Sequence, residues 1–142
     1  MTKIKTSELD GAALDWAVAK CEKLRLSGAS LGFLVKKYGR YAVRHEGRGA
    51  CYCPTENWSQ GGRIIEREGI FFSPLPDNGI RAYIFRDGQY LYLTDCWGYD
   101  TPITRLIVAM RCYVASKLGD EVEVPDELIG GPDGPPSVSK EV

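Results

Sequence analysis

Ile80-Arg81-Ala82-Tyr83-Ile84-Phe85-Arg86-Asp87-Gly88-Gln89-Tyr90-Leu91-Tyr92-Leu93-Thr94 carries the clearest structural signal in the chain. Two runs rich in aromatic and aliphatic residues flank Asp87-Gly88. A two-residue hairpin turn needs positive φ at both central positions, which Asp and Gly tolerate, so the pair predicts an antiparallel hairpin. Ala82, Ile84, Tyr90 and Tyr92 are expected to alternate with Arg81, Tyr83 and Leu91 across its two faces.

Immediately upstream, Ile70-Phe71-Phe72 reads as another apolar strand, and Ser73 to Gly79 reads as a loop on its Pro and Asn-Gly content. Downstream, an aromatic loop from Asp95 to Tyr99 leads into Asp100-Thr101-Pro102. A cap residue followed by proline starts a helix, because the first turn leaves that N–H unpaired in any case. Ile103, Leu106, Ile107, Met110, Val114 and Leu118 form its expected buried face, and Gly119 closes it. Near the beginning, Met1 to Lys5 is a short strand or an ordered arm. Ser7 or Asp10 can cap a helix that runs to about Leu24, with Leu9, Ala13, Trp16, Ala17, Cys21 and Leu24 on one face and Asp15, Lys20 and Lys23 elsewhere. Between them, alternation at Leu31, Phe33, Val35, Tyr41 and Val43 predicts two or three strands. The expected fold is α+β: an antiparallel sheet with two main helices packed on it, plus a short helix near residues 60–68. Residues 1–128 are read as one domain and 129–142 as a Gly/Pro-rich, flexible tail.

The 142 residues have room for one good core and too few for two. Hydrophobic residues at 44% and charged residues at 26% argue against a chain disordered throughout. The net charge of -1 hides an asymmetry: one base and seven acids from Gly119 onward leave residues 1–118 with 17 bases and 12 acids, a net of +5. Lys36, Lys37, Arg40, Arg44 and Arg48 crowd one segment, beside the sole histidine, His45. That run is a solvated face or a phosphate-facing patch. Five cysteines, an odd number without framework spacing, and a start without a secretory apolar core predict a reducing cytoplasm. No apolar run approaches the roughly 20 residues that span a bilayer, so no membrane partner is expected.

The most site-like stretch runs from Tyr52 to Ile70. Asn57 or Ser59 can cap the short helix, leaving N–H groups at Gln60, Gly61 and Gly62 at a positive helix end. The two glycines would let a phosphate or carboxylate approach the backbone. Trp58 and Tyr52 offer flat faces for a base, and Arg63 and Arg67, four apart, offer planar donors. The alternative is structural: Ile64 and Ile65 bury the helix and the glycine pair permits a tight turn. The stretch is neither a P-loop nor a dinucleotide fingerprint. Cys51-x-Cys53 lacks the spacing of redox and zinc motifs, so no catalytic residue, metal or cofactor is expected.

Three blocks carry a resemblance: Thr6-Ser7-Glu8-Leu9 with Gly11 to Ala19, Asn57 to Gly62 with Ile64 to Ile70, and Met110 to Gly119. They resemble the NinX-like family of small phage proteins, with Arg63 standing where that family favours proline. The resemblance implies an accessory phage protein in the host bacterial cytoplasm, and it carries no catalytic residues. By analogy with small phage proteins that trap nucleotide signals in homo-oligomers, the expected function is non-enzymatic sequestration of a nucleotide-derived host immune signal, a cyclic dinucleotide or ADP-ribose-type molecule. Tyr52, Asn57, Trp58, Ser59, Gln60, Gly61, Gly62, Arg63 and Arg67 are the expected ligand residues. The alternatives are a nucleic-acid- or host-protein-binding module using the basic segment, and an enzyme that degrades such a signal.

Overall fold

The computed structural model describes residues 1–24, 33–35, 41–44, 51–97 and 101–129. In chain order the elements are β1 (Thr2–Lys5), α1 (Gly11–Cys21), β2 (Phe33–Val35), β3 (Tyr41–Arg44), β4 (Cys51–Tyr52), α2 (Trp58–Glu68), β5 (Ile70–Leu75), β6 (Gly79–Arg86), β7 (Gln89–Cys96), α3 (Pro102–Leu118) and β8 (Glu121–Val124). The strands form three antiparallel sheets, ordered β5-β6-β7, β2-β3-β4 and β1-β8. The architecture is α+β, as the hydrophobic periods predict.

The hairpin forms where Asp87-Gly88 places it, with positive φ at both residues. Its faces differ from the expectation. The two-residue turn sets Phe85 opposite Tyr90 and Ile84 opposite Leu91. Directly opposed residues share a face, so Leu91 lies with buried Ala82 and Ile84, while Tyr90 joins Tyr83 and Phe85 outside. The inner face packs under α3. Upstream, β5 runs through Pro74 to Leu75, shrinking the expected loop to Pro76–Asn78. A sheet-edge strand tolerates proline because the missing N–H can fall on its unpaired side.

Helix α1 is enclosed on all sides: every residue from Ala13 to Ala19 is buried. Asp15, expected away from the core, is among them because its carboxylate accepts the Thr55 backbone N–H at 3.0 Å. Neither Ser7 nor Asp10 caps α1 through its side chain, and the helix ends at Cys21 rather than Leu24. Helix α3 starts as read, with Pro102 in its first turn and Thr101 accepting from the Thr104 N–H. It buries Val108, Ala109, Cys112 and Tyr113 as well as Leu106, Met110 and Val114, whereas Ile103 and Leu118 are exposed. A helix with sheet on one side and two helices on others has more than one buried stripe.

The acid-rich segment after Gly119 begins with a strand. Glu121-Val-Glu-Val pairs antiparallel with β1, burying Val122 and Val124 and turning Glu121 and Glu123 outward, opposite Lys5 and Lys3. The predicted tail beyond residue 129 lies outside the described residues.

Candidate functional site

At the start of α2 the structure takes up most of the predicted ligand groups internally. Asn57 is the cap, its side chain accepting from the Ser59 N–H at 2.8 Å. The N–H groups of Gln60 and Gly61 both donate to the Asn57 carbonyl, at 3.0 and 2.8 Å. Those amides are therefore not presented to an anion, a correction to the expected helix-end site. Gly62 sits a full turn inside α2, where its amide belongs to the helix ladder. The Gln60 side chain turns back to accept the Cys53 N–H at 2.7 Å.

The glycine pair has a packing explanation. A Cβ on Gly61 would run into the Pro54 carbonyl and come within 2.7 Å of Leu106, so this glycine lets α2 lie against the preceding loop and α3. A Cβ on Gly62 would meet the Trp58 ring at 3.2 Å, because the indole folds back along its own helix.

Arg67 is neutralised rather than free. It pairs bidentately with Glu22, at 2.5 and 3.1 Å, and with Glu68 at 2.8 Å. The Tyr113 hydroxyl donates to Glu22 and accepts from Arg67. Burial alone would raise the Glu22 carboxyl, but hydrogen bonds from Arg67 and Tyr113 and the charges of Arg67 and Lys117 outweigh it and hold it low. This cluster fastens the end of α1 to α2 and α3. Tyr52 is half-buried against the core, and burial pushes its phenol upward. Of the predicted set, Trp58 (42% exposed), Ser59, Arg63 and the ion-paired Arg67 are exposed to solvent.

Other predicted chemistry has a similar fate. Lys36, Lys37, Arg40, His45 and Arg48 fall outside the described residues, as do the side chains of Arg44 and Cys51. Asp95, expected in a turn, lies in β7 and pairs with Arg81 at 2.6 and 2.9 Å. Burial pushes the Cys21 and Cys112 thiols up to about 12, which keeps them protonated and poorly nucleophilic. Among the described residues no group of three His, Cys, Asp or Glu could hold a metal ion.

A cleft that the sequence does not announce opens beside β7. Ala82 pairs with Thr94 and Ile84 with Leu91, so two residues, Tyr92 and Leu93, face the single residue Tyr83. This is a β-bulge, and Tyr92 takes φ +57° within it. A bulky aromatic residue at positive φ is a backbone outlier, and such strain gathers at functional sites. Tyr92 and Leu93, 39% and 47% exposed, form one wall of a cleft of about 650 Å³. Lys5, Thr6 and Ser7 form another wall, and Asp120 and Glu121 close it. Thr6 ties these walls together, donating from its N–H to the Asp120 carbonyl at 2.7 Å and from its hydroxyl to the Gly119 carbonyl at 2.6 Å. Below them, the buried Thr94 hydroxyl bonds the Val108 carbonyl at 3.0 Å and fixes β7 to α3. No residue type marks a bulge at tyrosine, which is why the strand reads as regular.

The outer sheet face also departs from the ordinary. Phe71, Tyr83, Tyr90 and Phe85 form a chain of ring contacts, with centroid separations of 5.8, 5.1 and 5.0 Å. Phe71, Phe85 and Tyr90 are exposed.

The family model described as Bacteriophage P22, NinX matches residues 5–117, well over half of the chain. The chain belongs to the NinX family. A search of curated proteins returns no match. The NinX match takes in α1, α2, the hairpin and nearly all of α3, and with them the bulge; Asp120 and Glu121 lie outside it. No helix among the described residues is long and apolar enough to cross a membrane.

Proposed function

We propose that this NinX protein acts in the host bacterial cytoplasm by binding, sequestering a nucleotide-derived immune signal of the cyclic dinucleotide or ADP-ribose type and so blunting anti-phage defence. The supporting observation is the cleft at the β7 bulge. Its volume of about 650 Å³ falls within the range of small-molecule sites. Its lining combines an aromatic ring, an ammonium, a serine hydroxyl and two carboxylates, a mixture suited to a molecule with planar, charged and hydroxylated parts. Trp58, Ser59 and Arg63 support a second surface for the same ligand class, because the exposed indole lies on the same helix as an arginine that makes no ion pair among the described residues.

Thermal-shift and native mass measurements with cyclic dinucleotides and ADP-ribose test the reading. Binding raises the melting temperature by mass action, and the ligand is recovered intact after the protein is denatured. Recovery of a cleaved ligand makes the protein an enzyme instead, and binding that depends on oligonucleotide length and falls steeply with salt makes it a nucleic-acid module. If no nucleotide binds at micromolar concentration, the sequestration reading is abandoned. The same mass spectra report whether the ligand-bound form is a homo-oligomer.

A further inference from the structure

From the chemistry of the cleft walls, and resting on the binding reading above, we infer that the cleft selects a ribonucleotide with a free vicinal diol, an ADP-ribose-type molecule, over a 3′–5′ cyclic dinucleotide. Asp120 and Glu121 are adjacent, exposed and in the cleft lining. Ionised carboxylates only accept hydrogen bonds, so they call for a ligand edge that presents neighbouring donors. Two hydroxyls on adjacent ribose carbons present that edge, and their bonds to carboxylates are charge-assisted. A 3′–5′ cyclic dinucleotide has esterified its 3′ oxygens and lacks the diol.

The rest of the lining fits the remaining parts of such a ligand. Glu121 already has ammonium groups beside it, with Lys3 4.0 Å from its carboxylate and Lys5 its cross-strand neighbour, so Asp120 supplies the more open carboxylate. Lys5 supplies a cation in the cleft lining for a phosphate group of the ligand. Tyr92 and Leu93 supply an apolar and aromatic wall against which a base or sugar face can lie. The positive φ of Tyr92 matters here, since glycine would take this backbone conformation without strain yet would leave the wall without its ring.

The test is calorimetric titration of the full chain with ADP-ribose, with an ADP-ribose analogue lacking the 2-hydroxyl of both riboses and so any vicinal diol, and with a 3′–5′ cyclic dinucleotide. The proteins compared are the unaltered chain and the variants Tyr92→Gly, Asp120→Asn and Trp58→Ala. The expected result is binding of ADP-ribose, weakening by about tenfold or more for the deoxy analogue and for Asp120→Asn, as the loss of a hydrogen bond to a charged group predicts. Tyr92→Gly loses binding while its melting temperature is kept. Equal or tighter binding of the cyclic dinucleotide overturns the diol selectivity and leaves the sequestration reading standing. Binding lost in Trp58→Ala and unchanged in Tyr92→Gly and Asp120→Asn removes the ligand from this cleft. If the unaltered chain binds none of the three, the sequestration reading itself falls.

Discussion

The start of α2 and the bulge of β7 invert the usual relation between what a sequence advertises and what a structure presents. Asn57 to Arg67 holds cap, glycines, aromatic and arginines in one short stretch, yet Asn57, Gln60, Gly61 and Arg67 are occupied by the fold. Tyr90 to Thr94 is an ordinary run of strand residues that nevertheless bends, strains and opens a cleft. Residue types report what a segment can bond to; they do not report whether the partner is a ligand or the protein's own backbone. Substitutions that disturb the contacts of Gly61 and Arg67 in α2 should therefore cost stability, and substitutions at the bulge should spare stability and change binding.

The largest effect expected is from Gly61→Ala. The added methyl meets the Pro54 carbonyl, which is backbone and cannot rotate away, and this overpacking outweighs the gain of about 1 kcal/mol in helix propensity. A net loss of about 2 kcal/mol should appear in urea denaturation. A Gly61→Ala protein as stable as the parent would put the α2 glycine back among ligand contacts.

Next comes Glu22→Gln, which leaves Arg67 and Tyr113 without their shared carboxylate and should cost about 1–2 kcal/mol at neutral pH. The pH dependence has a definite sign. Because the Glu22 carboxyl is held below its ordinary 4.5 in the folded chain, its stabilisation is complete above that value and is lost as pH falls through the lower folded value. Urea midpoints measured across the acid range should fall more gently for Glu22→Gln than for the parent.

Tyr92→Gly should leave stability within about 1 kcal/mol of the parent, since relief of the positive φ offsets the lost side-chain contacts. Differential scanning calorimetry showing a large loss would make Tyr92 a packing residue and weaken the contrast between the two regions. Smallest is Gly62→Ala. Its methyl meets only the Trp58 ring, a movable group, so a gain of up to about 1 kcal/mol is expected with a change in indole fluorescence as the ring shifts.

The legible part of the fold is the part governed by local rules. Asp87-Gly88 fixed the hairpin through its positive φ values and Pro102 the start of α3. What escaped depends on distant partners. Asp15 is buried with its carboxylate accepting the Thr55 N–H, 40 residues on. The alternation in Glu121 to Val124 was available to be read, but the surrounding acids gave the segment the look of a solvated tail, and its buried side exists only against β1. The candidate site was less legible than the fold, since Lys5, Tyr92 and Asp120 are brought together by the closure of the chain rather than by spacing.

The pairing of β1 with β8 also sets the order in which the molecule can be finished. Thr2–Lys5 is made well before its partner and has none until Glu121–Val124 has been made, a wait of roughly 6–24 s at ordinary translation rates of about 5–20 residues per second. Until then Lys5 and Thr6 have no Asp120 and Glu121 to face. The cleft thus forms only after β8 has been made, and a nascent chain stalled before residue 120 would be incapable of capturing a ligand there however well its hairpin and helices had formed.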